Sequence, residues 1–217
     1  MSVATSDSPY HHTRLHYDPR RRILWQTLCA AYFSKLVSPD YHVLELGAGY
    51  GDFINSLKCA RRTAIDQFPD LPKYLEPGVV GRIGSVTDLE FLSDHSVDFA
   101  FASNLFEHLS QRDFATVLHQ LKQKLSSNGT LNILQPNYRR AYREYFDDYT
   151  HVAVYSHISL CDFLEANGYE ILECQPAFLP YSIKSNLPVV PAFIRFYLFL
   201  PWKPFAKQML VRTRPRP

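Results

Sequence analysis

The stretch His42–Phe53, HVLELGAGYGDF, constrains this chain more than any other, because an apolar run enters three closely spaced glycines. Val43, Leu44 and Leu46 predict a short buried strand, and Gly47, Ala48, Gly49, Tyr50 and Gly51 the turn that leaves it. Glycine takes left-handed backbone angles without steric penalty and lets a ligand approach the main chain closely. Asp52-Phe53-Ile54-Asn55-Ser56-Leu57 then predicts a helix whose first N–H groups point back toward the turn. Strand, glycine turn and helix in that order imply a crevice for a small molecule.

The rest of the chain is consistent with one globular α/β domain: 217 residues, 46% hydrophobic and 20% charged. A net charge of +2 gives no reason to expect nucleic acid, and the short arginine runs read as solvated faces. Cys29, Cys59, Cys161 and Cys174 form no C-x-x-C pair, so reduced thiols in the cytoplasm are expected rather than a zinc site. No basic patch followed by an apolar core marks the N-terminus as a secretory signal. No apolar run reaches the length of a membrane span.

In chain order, residues 1–18 read as an arm, 19–175 as a cofactor-binding core, 176–206 as an apolar Pro-rich insertion, and 207–217 as last strand and tail. Ile23, Leu24, Leu28, Ala31 and Tyr32 predict a helix from Pro19 through Val37, stopped by Ser38-Pro39-Asp40. Further strands are expected over 62–66, 79–84, 97–102, 130–134, 169–174 and 207–212. Phe114, Val117, Leu118, Leu121 and Leu125 make one helical stripe, with Asn128-Gly129 as its stop; Leu160, Phe163 and Leu164 make another, ended by Asn167-Gly168. This alternation predicts a Rossmann-like, doubly wound, mostly parallel seven-stranded sheet. With no crossover helix evident between strands six and seven, the last strand is expected to be antiparallel.

Two cofactor classes suit a glycine turn followed by an acid, Asp66, at the end of the second strand. Nicotinamide cofactors call for G-x-G-x-x-G, whereas Gly47, Gly49 and Gly51 are spaced G-x-G-x-G. Glu45 would repel a pyrophosphate but suits a ligand carrying an ammonium group, such as S-adenosylmethionine. Over residues 20–175, VLELGAGYGDF, AIDQF, VDFAFASNLFEHL and SSNGTLNILQPN resemble the class I S-adenosylmethionine-dependent methyltransferases. PNYRRAYREYFDDYTH and the segments LPYSIKSNLP, RFYLFLP and KQML resemble a bacterial subgroup associated with polysaccharide or lipid-linked sugar pathways. The resemblance implies main-chain contacts from Gly47, Ala48, Gly49 and Gly51 to the methionine part, with Glu45 orienting its ammonium end. It implies that Asp66 holds the ribose, that Gln67 and Phe68 flank the adenine, and that Ser103, Asn104 and Leu105 line the sulfonium side. Ser85 stands where many members carry aspartate, so adenine recognition is shared among Ser85, Val86 and Asp88.

Methyl transfer is an in-line displacement, so positioning supplies most of the catalysis and a base matters only for a protonated acceptor. His108, after strand four, is the leading base candidate with a pKa near neutrality, and His151 the second. The alternative for His108 is that it and Glu107 simply start a helix or hydrogen-bond nearby backbone. Asp147, Asp148 and His151 read as capping or solvated residues, and no metal is expected. Tyr138, Tyr142, Tyr145 and Tyr149 with Arg139, Arg140 and Arg143 suit stacking on sugars and binding of an anionic group, or a helix packing its tyrosines on the core. Val189–Leu200, with Trp202 and Lys203 beside it, reads as a lid helix or homodimer surface, with contact of 189–203 to the inner face of the membrane as the alternative. The expected function is methyl transfer to a small or lipid-linked, sugar-like acceptor. The alternatives are a non-catalytic binding or scaffold protein of the same fold and an NAD-dependent oxidoreductase.

Overall fold

The computed structural model describes residues 16–180 and 189–216. Seven strands form one sheet in the order β3-β2-β1-β4-β5-β7-β6. They are β1 (His42–Leu46), β2 (Arg61–Asp66), β3 (Val79–Ile83), β4 (Val97–Ser103), β5 (Leu125–Pro136), β6 (Tyr169–Pro180) and β7 (Ala206–Pro215). The first five pair in parallel, while β7 runs antiparallel to both β5 and β6. The expected architecture is therefore present. The chain crosses from β1 to β2 on one side and returns to β4 on the other, which opens a crevice at the carboxyl ends of β1 and β4.

Alternation along the central strands builds two cores. Val43, Phe99 and Phe101 pack with Trp25, Leu28, Phe33 and Phe53 on one face. Leu44, Leu46, Ala100 and Ala102 join Phe114, Val117, Leu118 and Leu121 on the other. Both faces are covered, as a parallel sheet requires. The helices are α1 (Pro19–Ala31), α2 (Asp52–Asn55), α3 (Leu71–Tyr74), α4 (Gln111–Lys124), α5 (Tyr138–Ala141), α6 (His157–Ala166) and α7 (Pro191–Phe199). Asp18 caps α1 by accepting the Arg20 N–H at 2.9 Å, and Ser110 caps α4 from Asp113 at 3.1 Å.

Several local expectations are corrected. Helix α1 ends at Ala31, Phe33–Lys35 follow as a 3-10 turn, and the buried face is Trp25, Leu28 and Cys29 while Ile23 is exposed. Asn128-Gly129 does not stop α4, which ends at Lys124; Leu125 already belongs to β5. Gly129 lies where the β4–β5 register shifts, and a Cβ there would sit 2.7 Å from the Val97 carbonyl oxygen. Close backbone approach requires that glycine. Strand β6 runs on to Pro180 and β7 begins at Ala206, so the insertion is shorter at both ends than 176–206. Most of the 1–18 arm, and part of the insertion, lie outside the described residues.

Candidate active site

Gly47, Gly49 and Gly51 all adopt left-handed φ angles, of 66°, 54° and 68°. Gly47 also faces Leu105 from beyond β4: an added Cβ would come within 2.9 Å of its side chain. Four N–H groups of this turn are engaged within the protein. Gly47 and Ala48 donate to the Ile65 carbonyl at 2.9 and 3.2 Å, Gly51 donates to Ala48 at 2.8 Å, and Gly49 donates to Asp66 Oδ2 at 2.7 Å. Helix α2 is a single turn, and its Ile54 N–H donates to Glu45 Oε2 at 3.1 Å rather than toward the crevice. A ligand at the turn therefore meets acceptor oxygens, with the half-buried Asp66 side chain among them. That surface suits an ammonium or sulfonium ion and disfavours a pyrophosphate.

The acids here are held differently. Glu45 is 4% exposed, and burial first, then the neighbouring Asp52 and Asp66 charges, push its pKa well above the carboxylate range against the pull of the Ile54 N–H. Asp52, at the start of α2, pairs with Arg21 at 2.9 Å. Asp66, half-buried at the end of β2, also accepts the Phe68 N–H at 2.8 Å through Oδ1. Phe68 is buried beneath aromatic neighbours, with ring centres 5.3 Å from Tyr50 and 5.9 Å from Tyr74, while Gln67 is exposed. Tyr17 stacks on Tyr74 at 5.6 Å. Ser85 Oγ bonds Thr87 Oγ1 at 2.7 Å, with Val86 buried and Asp88 exposed.

Beyond β4, Asn104 takes a left-handed φ of 50°, held by its N–H to Leu134 at 2.8 Å and by Gln208 Nε2 at 2.8 Å. Its Nδ2 donates to Ser103 Oγ at 3.0 Å. Asparagine is among the few residues that tolerate this backbone. The chain then brings Glu107, His108 and His151 together, one ligand atom of each within 4.8 Å of the others. Glu107 is fully buried, and neither side-chain oxygen has a hydrogen-bond partner on another of the described residues. Burial raises its pKa to about 8 against the pull of its own backbone N–H, and Asp148 adds a smaller rise. Burial, reinforced by His151, lowers that of His108 to about 4, so this imidazole is not the near-neutral group expected from the sequence. Asp148 Oδ1 accepts from Thr150 at 2.6 Å, a capping role, and Asp147 is exposed.

Of the four tyrosines after β5, Tyr145 is in the core and Tyr142 and Tyr149 are exposed. Arg139, Arg140, His157, Asn137 and Pro176 line a cleft of about 520 Å³. Helix α7 packs on α1 through Ile194, Tyr197 and Leu198 but buries no residue fully, so a buried lid helix is not what forms.

A family model described as a methyltransferase domain matches residues 17–174. The chain belongs to that family. The methyltransferase uses S-adenosylmethionine, and the nicotinamide alternative falls away. No curated protein matches the chain. Among solved structures it is similar to a possible histamine N-methyltransferase of Thermotoga maritima, at TM-score 0.69 and 18% identity over 96% of this chain and 97% of that one. An S-adenosylmethionine-dependent methyltransferase of Archaeoglobus fulgidus follows at 0.68 and 17%, over 94% and 97%. The Burkholderia thailandensis 1,6-didemethyltoxoflavin-N1-methyltransferase, solved with S-adenosylhomocysteine, matches at 0.59 and 16%, over 96% and 84%. These likenesses are of fold.

The methyltransferase's structure gathers Glu45, the three glycines, Asp66 and Leu105 around one crevice mouth, while Gln67 is exposed and the Ser85 hydroxyl bonds Thr87. Glu107 was read from the sequence only as a helix start. Its signal was an acid directly before His108 in SNLFEH, and its meaning needed His151 beside it. The Arg21–Asp52 pair and the Tyr17–Tyr50–Tyr74 aromatic group were also missed, because each joins elements distant in sequence.

Proposed function

We propose that this methyltransferase methylates a small or lipid-linked, sugar-like acceptor carrying an anionic group, at the cytoplasmic face of a membrane. The carrying observation for the donor side is the turn in which the Gly47, Ala48, Gly49 and Gly51 N–H groups are engaged internally, beside the Glu45 and Asp66 carboxyl groups. Bound there, S-adenosylmethionine supplies an electrophilic methyl group. In this reading the carbonyls of the glycine turn and the Glu45 carboxyl face the ammonium end. Asp66 accepts from the ribose hydroxyls, Phe68 and Gln67 border the adenine with Ser85 and Val86, and Ser103, Asn104 and Leu105 shape the sulfonium side. On the acceptor side stand His108 and His151, and the Arg139–Arg140 cleft binds the anionic group.

Helix α7 supports the membrane face. Phe193, Phe196, Phe199, Trp202 and Phe205 are each at least 60% exposed, next to Arg195 and Lys203. Aromatic rings beside cationic side chains suit an anionic lipid headgroup layer. Binding to phosphatidylglycerol vesicles is expected, with a loss of at least tenfold when Phe196, Phe199 and Trp202 are changed together to serine. A concentration-dependent dimer that the same variant abolishes, without vesicle binding, would assign the patch to a second copy instead.

Calorimetry and labelling test the whole reading. S-adenosylmethionine and S-adenosylhomocysteine are expected to bind, and labelled methyl to enter a sugar nucleotide or lipid-linked sugar fraction. No binding of either at millimolar concentration overturns the donor assignment, and label confined to protein or RNA overturns the acceptor class.

A further inference from the structure

We propose that Glu107, His108 and His151 form a binding site for a divalent first-row transition cation of the Zn²⁺ class. The binding claim is independent of the acceptor proposed above, and only its use in acceptor activation rests on that reading. Glu107 is 0% exposed, and neither of its carboxyl oxygens has a hydrogen-bond partner on another of the described residues. A buried carboxyl in that state costs folding free energy that a cation would recover.

The Nδ1 contacts set the tautomer of both imidazoles. His151 Nδ1 lies 2.6 Å from the Tyr145 carbonyl oxygen, an acceptor only, so Nδ1 carries the proton. His108 Nδ1 lies 3.3 Å from the Thr150 carbonyl and 2.9 Å from Thr150 Oγ1. The Thr150 hydroxyl proton is committed to Asp148 Oδ1 at 2.6 Å, so this Nδ1 is also the donor. Each ring is thereby left with its lone pair on Nε2, and an Nδ1–H bonded to an oxygen is the usual outer shell of a metal-bound histidine. Asp148 and Thr150 supply that shell for His108.

Position and donor type complete the case. The Val152 and Ala153 N–H groups both bond the Glu107 carbonyl, at 2.9 and 3.1 Å, which fixes the His151 segment beside Glu107. Closing the 4.8 Å between ligand atoms to the roughly 3.4 Å of tetrahedral ligands is within the reach of side-chain rotation. Two imidazoles and one carboxylate favour Zn²⁺, Co²⁺ or Fe²⁺ over the oxygen-seeking Mg²⁺ and Ca²⁺. Three protein ligands leave a coordination position open, where an acceptor hydroxyl would be acidified. In the loaded protein the His108 lone pair is on the cation, and His108 acts as a ligand rather than as a free base.

The test uses the full chain after chelator treatment, titrated with Zn²⁺ by calorimetry and with Co²⁺ by visible absorption. One equivalent of either is expected to bind with micromolar or tighter Kd and to raise Tm. Glu107→Gln and His151→Ala are each expected to weaken binding at least a hundredfold, and His108→Ala to do the same while S-adenosylmethionine affinity is kept. The exposed His119→Ala control is expected to bind as wild type. The proposal is overturned if the wild-type chain takes up neither ion stoichiometrically, or if the Glu107 and His151 variants bind undiminished. Should either variant fail to fold, the wild-type Co²⁺ spectrum decides, since a hydrated-ion spectrum rejects the site. S-adenosylmethionine binding in the same samples separates this outcome from failure of the donor assignment.

Discussion

Asp66→Ala is expected to raise the Kd for S-adenosylmethionine about a hundredfold while the chain stays folded. In the proposed complex, Asp66 accepts from two ribose hydroxyls, and hydrogen bonds to a charged group contribute roughly 1.5–3 kcal/mol each. Its loss also releases the Gly49 and Phe68 N–H groups, now bound to its two oxygens at 2.7 and 2.8 Å. The glycine turn and the adenine-side aromatic group then lose a shared anchor. Asp66→Asn keeps one acceptor oxygen and is expected to lose about tenfold. Calorimetry measures both, and wild-type affinity in the alanine variant would remove Asp66 from ribose binding.

Phe53→Ala is expected to destabilise the fold by about 3–5 kcal/mol, the range for truncating a buried aromatic residue. Phe53 is fully buried, stacked on Phe101 with ring centres 3.9 Å apart and in edge contact with Phe33 at 5.3 Å and Trp25 at 5.6 Å. It is also the second residue of α2, so the same packing presses that one-turn helix against β1 and sets where the Ile54 N–H meets Glu45. Denaturant unfolding should show the loss, and cofactor affinity should fall with it even where the variant remains folded. A loss under 1 kcal/mol would mean that the aromatic core does not hold α2 in place.

Much of the fold was legible because its signals are local. The period-two alternation in VDFAFA reports a strand covered on both faces, and β4 sends Phe99 and Phe101 one way and Ala100 and Ala102 the other. Asn167-Gly168 reported a helix end, and Gly168 takes a φ of 77° there. The start of β5 was not legible, since Leu125 completes the apolar stripe of α4 and also begins the strand. Periodicity cannot separate two elements that share a residue. For α7, an apolar segment of one charge was visible, but which rings face α1 and which face solvent depends on the neighbour it meets.

The site divides along the same line. The sequence by itself determined the donor crevice: three glycines after a buried strand have a local backbone reason, and an acid ending the next strand lies beside them in any parallel sheet. Glu45 stands two residues before the first glycine in the sequence, and the structure adds that it is buried with Oε2 accepting the Ile54 N–H. Only the tertiary structure decided that the Gly47, Ala48 and Gly49 N–H groups are engaged within the protein, because their partners, Ile65 and Asp66, lie on a neighbouring strand. It also decided that Glu107 stands beside His108 and His151. Charge and hydrogen-bond satisfaction depend on which strand ends are brought side by side, and that adjacency exists only once the sheet has formed.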